Sequence, residues 1–188
     1  MTLPPPVART PNHTRTVIFD SFEREDGLYD VEARVTDRKH FTFPERERGQ
    51  LTPGTAQHDI VTRVTFDKDL IVRDIAIELA TVPFSFCAGS TAALPGLIGR
   101  SLARGWRKSI QEVLGGTTGC THTRELLTGI PTIAIQTLVS RADKELFDAG
   151  GTDTQRTERP IFLGGCHTWS MDSPVVEEYF PQFAVKPE

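Results

Sequence analysis

LYDVEARVTD, residues 28–37, alternates without interruption. Tyr29, Val31, Ala33 and Val35 point one way, and Asp30, Glu32, Arg34 and Thr36 the other. A two-residue period with apolar residues on one side only is the pattern of a half-buried antiparallel strand. Working backwards, Arg15 to Phe22 (RTVIFDSF) is rich in β-branched and aromatic residues. Glu25-Asp26-Gly27 supplies a turn, so residues 15–37 read as a hairpin. Working forwards, residues 38–56 (RKHFTFPERERGQLTPGTA) are charged and carry Pro and Gly, and read mostly as loop. His58 to Phe66 is a third strand. Asp67-Lys68-Asp69 turns the chain, and Leu70 to Thr81 returns as a fourth, with Ile71, Ile75, Ile77 and Leu79 on one face and Arg73 interrupting it.

After Pro83 the period changes. Leu94, Leu97, Ile98, Leu102, Trp106, Ile110 and Val113 recur at three- and four-residue steps, as on one side of an amphipathic helix. Gly105 weakens that helix and Gly115-Gly116 ends it. Thr121 or Thr123 caps a second helix, which opens through Arg124-Glu125-Leu126-Leu127 and continues its face with Ile133, Ala134, Thr137 and Leu138. Pro131 kinks or divides it. Residues 141–160 are polar and read as a loop, and residues 161–183 as a strand-like or irregular segment. The expected architecture is α+β: an antiparallel sheet of about four or more strands with helices packed on one face. An extended arm spans residues 1–14. A single domain covers residues 15–183, with strands in 15–82 and helices in 91–140, and residues 184–188 form a tail.

The composition restricts function. The chain has 188 residues and a net charge of −4, with a pI near 5.8. That balance argues against a general nucleic-acid or membrane-surface role. No apolar run approaches the roughly 20 residues needed to cross a bilayer, and the start MTLPPPVARTPNH lacks the apolar core of a secretion signal. Three cysteines in such a chain fit a cytoplasmic setting with free or metal-bound thiols rather than disulfides.

The chemistry concentrates in two short neighbourhoods. In GGTTGCTHTRELL, residues 115–127, Cys120 and His122 stand two apart where a helix begins, and FLGGCHTW holds the adjacent pair Cys166-His167. Thiolate and imidazole suit zinc or an iron–sulfur cluster. Cys120, His122 and one or both of Cys166 and His167 are therefore expected to share a metal site, the alternative being a packed thiol beside a surface histidine. His58 and Asp59 open the third strand and are candidates for catalysis or ligation, and Asp37 ends its own strand near them. Cys87, in PFSFCAGST, is a further ligand candidate or a thiol packed beside Phe84 and Phe86. Arg100, Arg104 and Arg107 recur at helical spacing and could bind a phosphate- or carboxylate-bearing cofactor, or form a solvated face. The dinucleotide, Walker and nucleophile-elbow sequences are all missing.

His58-Asp59, Leu97-Ile98-Gly99 with Gly105-Trp106, Gly119-Cys120-Thr121-His122 with Glu125-Leu126, and Cys166-His167 with Pro181 together resemble a bacterial domain-of-unknown-function family, over roughly residues 9–183. The resemblance implies that the two Cys/His neighbourhoods belong to one architecture. It implies no activity. A fainter likeness at the level of the site is to iron–sulfur scaffold proteins of the NifU type, through Cys87, Cys120 and Cys166-His167. The expectation is thus a metal-binding protein carrying zinc or iron, a metal-dependent enzyme acting on a small carbonyl or acyl substrate. Its alternatives are an iron–sulfur or metal carrier, or an accessory subunit docked in a larger complex.

Overall fold

The structure is a computed structural model that describes residues 2–185. The chain divides into two compact units, one ending at Pro131 and one beginning at Thr132.

The first unit contains β1 (His13–Glu23), β2 (Tyr29–Lys39), β3 (Phe43–Glu45), β4 (Gly49–Leu51), β5 (Ala56–Phe66) and β6 (Val72–Thr81). The four long strands form one antiparallel sheet in the order β1-β2-β5-β6. The alternation in residues 28–37 is realised as read. Val31, Ala33 and Val35 are buried, and across the register Ile60 and Val64 of β5 face them from the same side. Burying an aliphatic side chain of this size stabilises by about 1.5–3 kcal/mol, so this inner row fixes which side of the sheet is covered. The outer face is polar. Arg34 forks onto Asp59 at 2.8 and 2.6 Å, and Arg63 lies 3.6 Å from Glu32.

The stretch 38–56 is less irregular than its composition suggests, because β3 and β4 make a small hairpin. A charged pair organises it. Glu45 is buried and clamped by Arg48, whose Nη2 donates to Oε1 at 2.7 Å and also to the carbonyl of Gln57 at 3.2 Å. Read as sequence, PERERG shows only polarity.

The expected helix over residues 94–113 does not form as one element. Short 3-10 turns cover Ser85–Thr91 and Leu94–Leu97, and an α-helix begins only at α1 (Trp106–Leu114). Gly99 and Gly105 adopt φ of 82° and 68°, the left-handed region where an α-helix cannot continue. The backbone between them turns to the sheet instead. Gly99 donates to the Val72 carbonyl at 2.8 Å, Val72 to that of Arg100 at 2.9 Å, and Leu102 to that of Leu70 at 2.8 Å. Arg100 and Arg104 therefore do not share a helix with Arg107, and the expected row of guanidinium groups is not formed. Arg100 is held 3.5 Å from Glu112.

α1 ends at Gly115, as expected, where a Cβ would fall 2.2 Å from the Gln111 carbonyl oxygen. α2 (Thr121–Asp148) then runs for 28 residues, through Pro131 and on into the second unit. A proline inside a helix removes the donor to the carbonyl four residues earlier, here Leu127. The indole of Trp106 supplies the missing donor, with Nε1 at 2.7 Å from the Leu127 oxygen. The first turns of α2 lie on the inner face of the sheet. Leu126, Leu127 and Ile130 are fully buried, and Gly129 sits so close to Phe19 of β1 that a Cβ would be 2.4 Å from its ring. The helix also extends beyond Ser140 into the region read as loop. There Arg141–Glu145 at 3.0 Å and Lys144–Asp148 at 2.5 Å form ion pairs at the four-residue spacing that supports a helix.

In the second unit the remainder of α2 is followed by turns and α3 (Pro174–Tyr179). Residues 161–183, read as strand-like, are turns and this short helix. Ser173 caps it by accepting from the Val176 N–H at 3.2 Å. Leu163, Val176 and Phe180 form the core of this segment, with Phe162, Trp169 and Met171 packed against it. Residues 186–188 of the expected tail lie outside the described residues. Among the described residues no helix is long and apolar enough to cross a membrane.

Candidate metal centre

The antiparallel register aligns Arg15, Asp37 and His58 in one row across β1, β2 and β5. All three stand on the inner side, because Asp37 and His58 lie two residues from the buried Val35 and Ile60 on their own strands and Arg15 is the cross-strand partner of Asp37. Asp37 is 1% exposed and is the hub. Arg15 forks onto it, Nε to Oδ1 at 2.9 Å and Nη2 to Oδ2 at 2.8 Å, and is itself tied to Glu125 of α2. His13, one pleat further along β1, places Nε2 at 2.9 Å from Oδ1. Burial by itself would raise the Asp37 carboxyl, but the guanidinium fork and His13 outweigh it and hold the group well below the usual carboxylate range.

Two imidazoles complete the group. His58 Nδ1 lies 3.1 Å and His122 Nε2 3.5 Å from the same oxygen, Asp37 Oδ2, and the two rings stack at 3.9 Å between centroids. His58 Nδ1 is buried and off the axis of a hydrogen bond to Asp37, so it has no aligned partner. Burial, reinforced by the neighbouring His122, pushes the His58 pKa down despite Asp37. The other nitrogen of His122, Nδ1, faces Cys120 Sγ at 3.5 Å.

Cys120 occupies the position just before α2, and its carbonyl accepts from the Arg124 N–H at 3.1 Å. Thr121 and Thr123 were the expected caps; a thiol fills the place. Burial raises the Cys120 pKa, but His122 and the backbone N–H groups of Thr123 and His122 outweigh it and bring the thiol down to about 7.

Asp37, His58 and His122 each offer a ligand atom, all within 4.8 Å of one another, and this group could hold a metal ion. Tetrahedral zinc, with bonds of about 2.0–2.2 Å, needs donors roughly 3.3–3.6 Å apart, close to the 3.1 and 3.5 Å that separate Asp37 Oδ2 from the two imidazole nitrogens. The orphaned His58 nitrogen is a second sign of fit, since it is buried, 3.1 Å from Asp37 Oδ2, and makes no aligned hydrogen bond. Arg15 Nε and His13 occupy Oδ1, whereas Oδ2 accepts from Arg15 Nη2 and retains a second lone pair for an ion.

The expected residues are distributed as follows. Cys120, His122 and His58 come together. Asp59 does not join them: it follows His58 on a strand, so it faces the outer side and pairs with Arg34. The carboxylate beside His58 is its cross-strand partner, Asp37. Cys87 lies in a 3-10 turn, lining a separate depression with Phe84, Phe86 and Glu47. Cys166 and His167 belong to the second unit, where Cys166 is an exposed free thiol. Asp37, His58 and His122 all belong to the first unit. His13 and Arg15 escaped the sequence reading because their role is visible only through the β1–β2 register. The HTRT pattern of residues 13–16 puts both on one side, which is the single hint available.

Residues 13–136 match the family model described as Protein of unknown function (DUF2889). The match is narrower than the resemblance over residues 9–183: it takes in His58, Cys120 and His122 and excludes Cys166 and His167. No curated protein and no solved structure matches the chain.

Proposed function

We propose that this chain, which belongs to the DUF2889 family, is a metal-dependent enzyme holding one zinc or iron(II) ion on Asp37, His58 and His122 and acting on a small carbonyl or acyl substrate. The observation that carries the reading is the convergence of two imidazole nitrogens and one carboxylate oxygen within 4.8 Å. Two histidines and a carboxylate are the donor set of catalytic zinc and of non-haem iron(II), and three protein ligands leave a coordination position open, whereas a structural zinc site closes with four. When bound, the ion would act as a Lewis acid toward a carbonyl or lower the pKa of a water molecule. The chain does the positioning. Arg15 and His13 fix both oxygens of Asp37, and Cys120 orients His122 by engaging its far nitrogen, as outer partners of ligating groups do.

The test is metal content and titration with Zn²⁺ and Fe²⁺. Wild-type protein is expected to bind close to one equivalent. His58→Ala and His122→Ala are expected to lose it, and Cys120→Ser to keep it with an affinity about 10–100-fold weaker. A folded wild type that binds neither ion ends the proposal.

A second reading uses His122 without an ion. Cys120, His122 and Asp37 form a thiol–imidazole–carboxylate series with both links at 3.5 Å, at the start of a long helix, an arrangement suited to a thiolate nucleophile for acyl transfer. Alkylation by iodoacetamide is then expected to show a phase with a midpoint near pH 7, where the Cys120 thiol titrates, and Cys120→Ser is expected to remove it. In that reading activity survives chelation and disappears in Cys120→Ser; in the metal reading chelation abolishes it.

A further inference from the structure

The second unit holds a cavity of about 610 Å³ bounded by α2 beyond Pro131 and by the turns around α3. That volume falls within the range of small-molecule sites, about 300–1,000 Å³. One wall is aromatic: Phe162, Trp169 and Phe180 pack mutually at 4.8, 5.6 and 5.8 Å between ring centroids. Ile135 and Val139 of α2 add aliphatic surface. The charge is one-sided. Asp143 and Asp153 both line the cavity, and the single guanidinium of Arg156 serves both, Nη2 to Asp143 Oδ1 at 2.5 Å and Nε to Asp153 Oδ1 at 2.8 Å. Among the described residues, the ion pairs of these two carboxylates are with this one guanidinium, an excess of one negative charge beside aromatic side chains of the kind that attract cations.

We propose that this cavity binds a small amphipathic cation, an aromatic body of phenyl to indole size carrying one ammonium group. The apolar wall takes the ring, and the Asp143–Asp153 pair, half-neutralised by Arg156, takes the charge. The proposal is independent of the metal reading. Most of the cavity, including Trp169 and both carboxylates, lies outside residues 13–136, and Thr132, Ile135 and Gln136 lie within them.

The test compares three probes with one phenyl body: phenethylamine as the cation, 2-phenylethanol as the neutral analogue and 3-phenylpropionate as the anion. Binding to the full chain is followed by tryptophan fluorescence and by calorimetry, with Trp169→Phe as the optical control. Phenethylamine is expected to bind saturably and at least tenfold more tightly than 3-phenylpropionate, a difference of about 1.4 kcal/mol, with 2-phenylethanol between. Asp143→Asn is expected to narrow that gap. Ser140→Trp, and independently Val139→Trp, are expected to fill the cavity and abolish binding while circular dichroism stays unchanged. Equal affinities, a preference for the anion, no saturation, or binding that survives a folded cavity-filling variant would each overturn the proposal.

Discussion

Asp37 shows how one buried charge ties a site to stability. Its carboxyl titrates in the folded chain well below its ordinary value of about 3.9, so the unfolded chain binds the proton first as acid is added. The stabilisation from Asp37 is therefore complete above about pH 4 and is lost as pH falls below that. His58 acts in the same direction at higher pH. Burial depresses its pKa below the ordinary value near 6.5, so its contribution is complete above about pH 6.5 and declines as the pH falls through the region below. In chelator-treated protein, the melting temperature plotted against pH is expected to fall in two stages, a shallow one below about pH 6.5 and a steeper one below about pH 4. His58→Ala should remove the first stage and Asp37→Asn flatten the second. Asp37→Asn is also expected to cost about 1–3 kcal/mol at neutral pH through unmade hydrogen bonds. A single stage unchanged in both variants would show that these groups are not perturbed as the structure has them.

At the scale of the element, α2 is the unusual component. It carries Gly129 and Pro131 in its interior, both poor helix residues, and tertiary neighbours account for each. Gly129 admits Phe19 of β1, and Pro131 frees a carbonyl that Trp106 of α1 then caps. Trp106→Phe keeps most of the ring volume and leaves the Leu127 oxygen without a donor, at an expected cost of about 1–3 kcal/mol. Pro131→Ala restores a backbone donor to that oxygen. In the Pro131→Ala background, Trp106→Phe should therefore cost measurably less, by 0.5 kcal/mol or more for coupled neighbours. Urea denaturation of the four proteins in the cycle measures this, and additive costs would exclude the compensation.

For the whole molecule, the division at Pro131 separates two kinds of surface. The family match begins with β1 and stops at Gln136, so the donor group lies entirely inside it. A chain cut after Asp148, at the end of α2, is expected to bind the same metal stoichiometry as the full chain and to lose all response to phenethylamine. Circular dichroism and metal titration on that fragment check it; a folded fragment with no metal site would show that the second unit takes part in the centre.

The sequence by itself determined the four long strands, the short turns joining β1 to β2 and β5 to β6, the α+β class, the end of α1 and the place of Cys120 and His122 at a helix start. These depend on local periodicity and on turn and glycine chemistry, which act within a few residues. Tertiary structure alone decided which carboxylate meets His58. Strand alternation turns Asp59 to the outer face, and the register across β2 brings Asp37, 21 positions away, to the imidazole. It likewise decided that residues 98–104 bond to the sheet instead of coiling, and that a proline stays within α2. In each case the deciding partner comes from another element, and a backbone donor or a buried charge must find that partner wherever the fold places it.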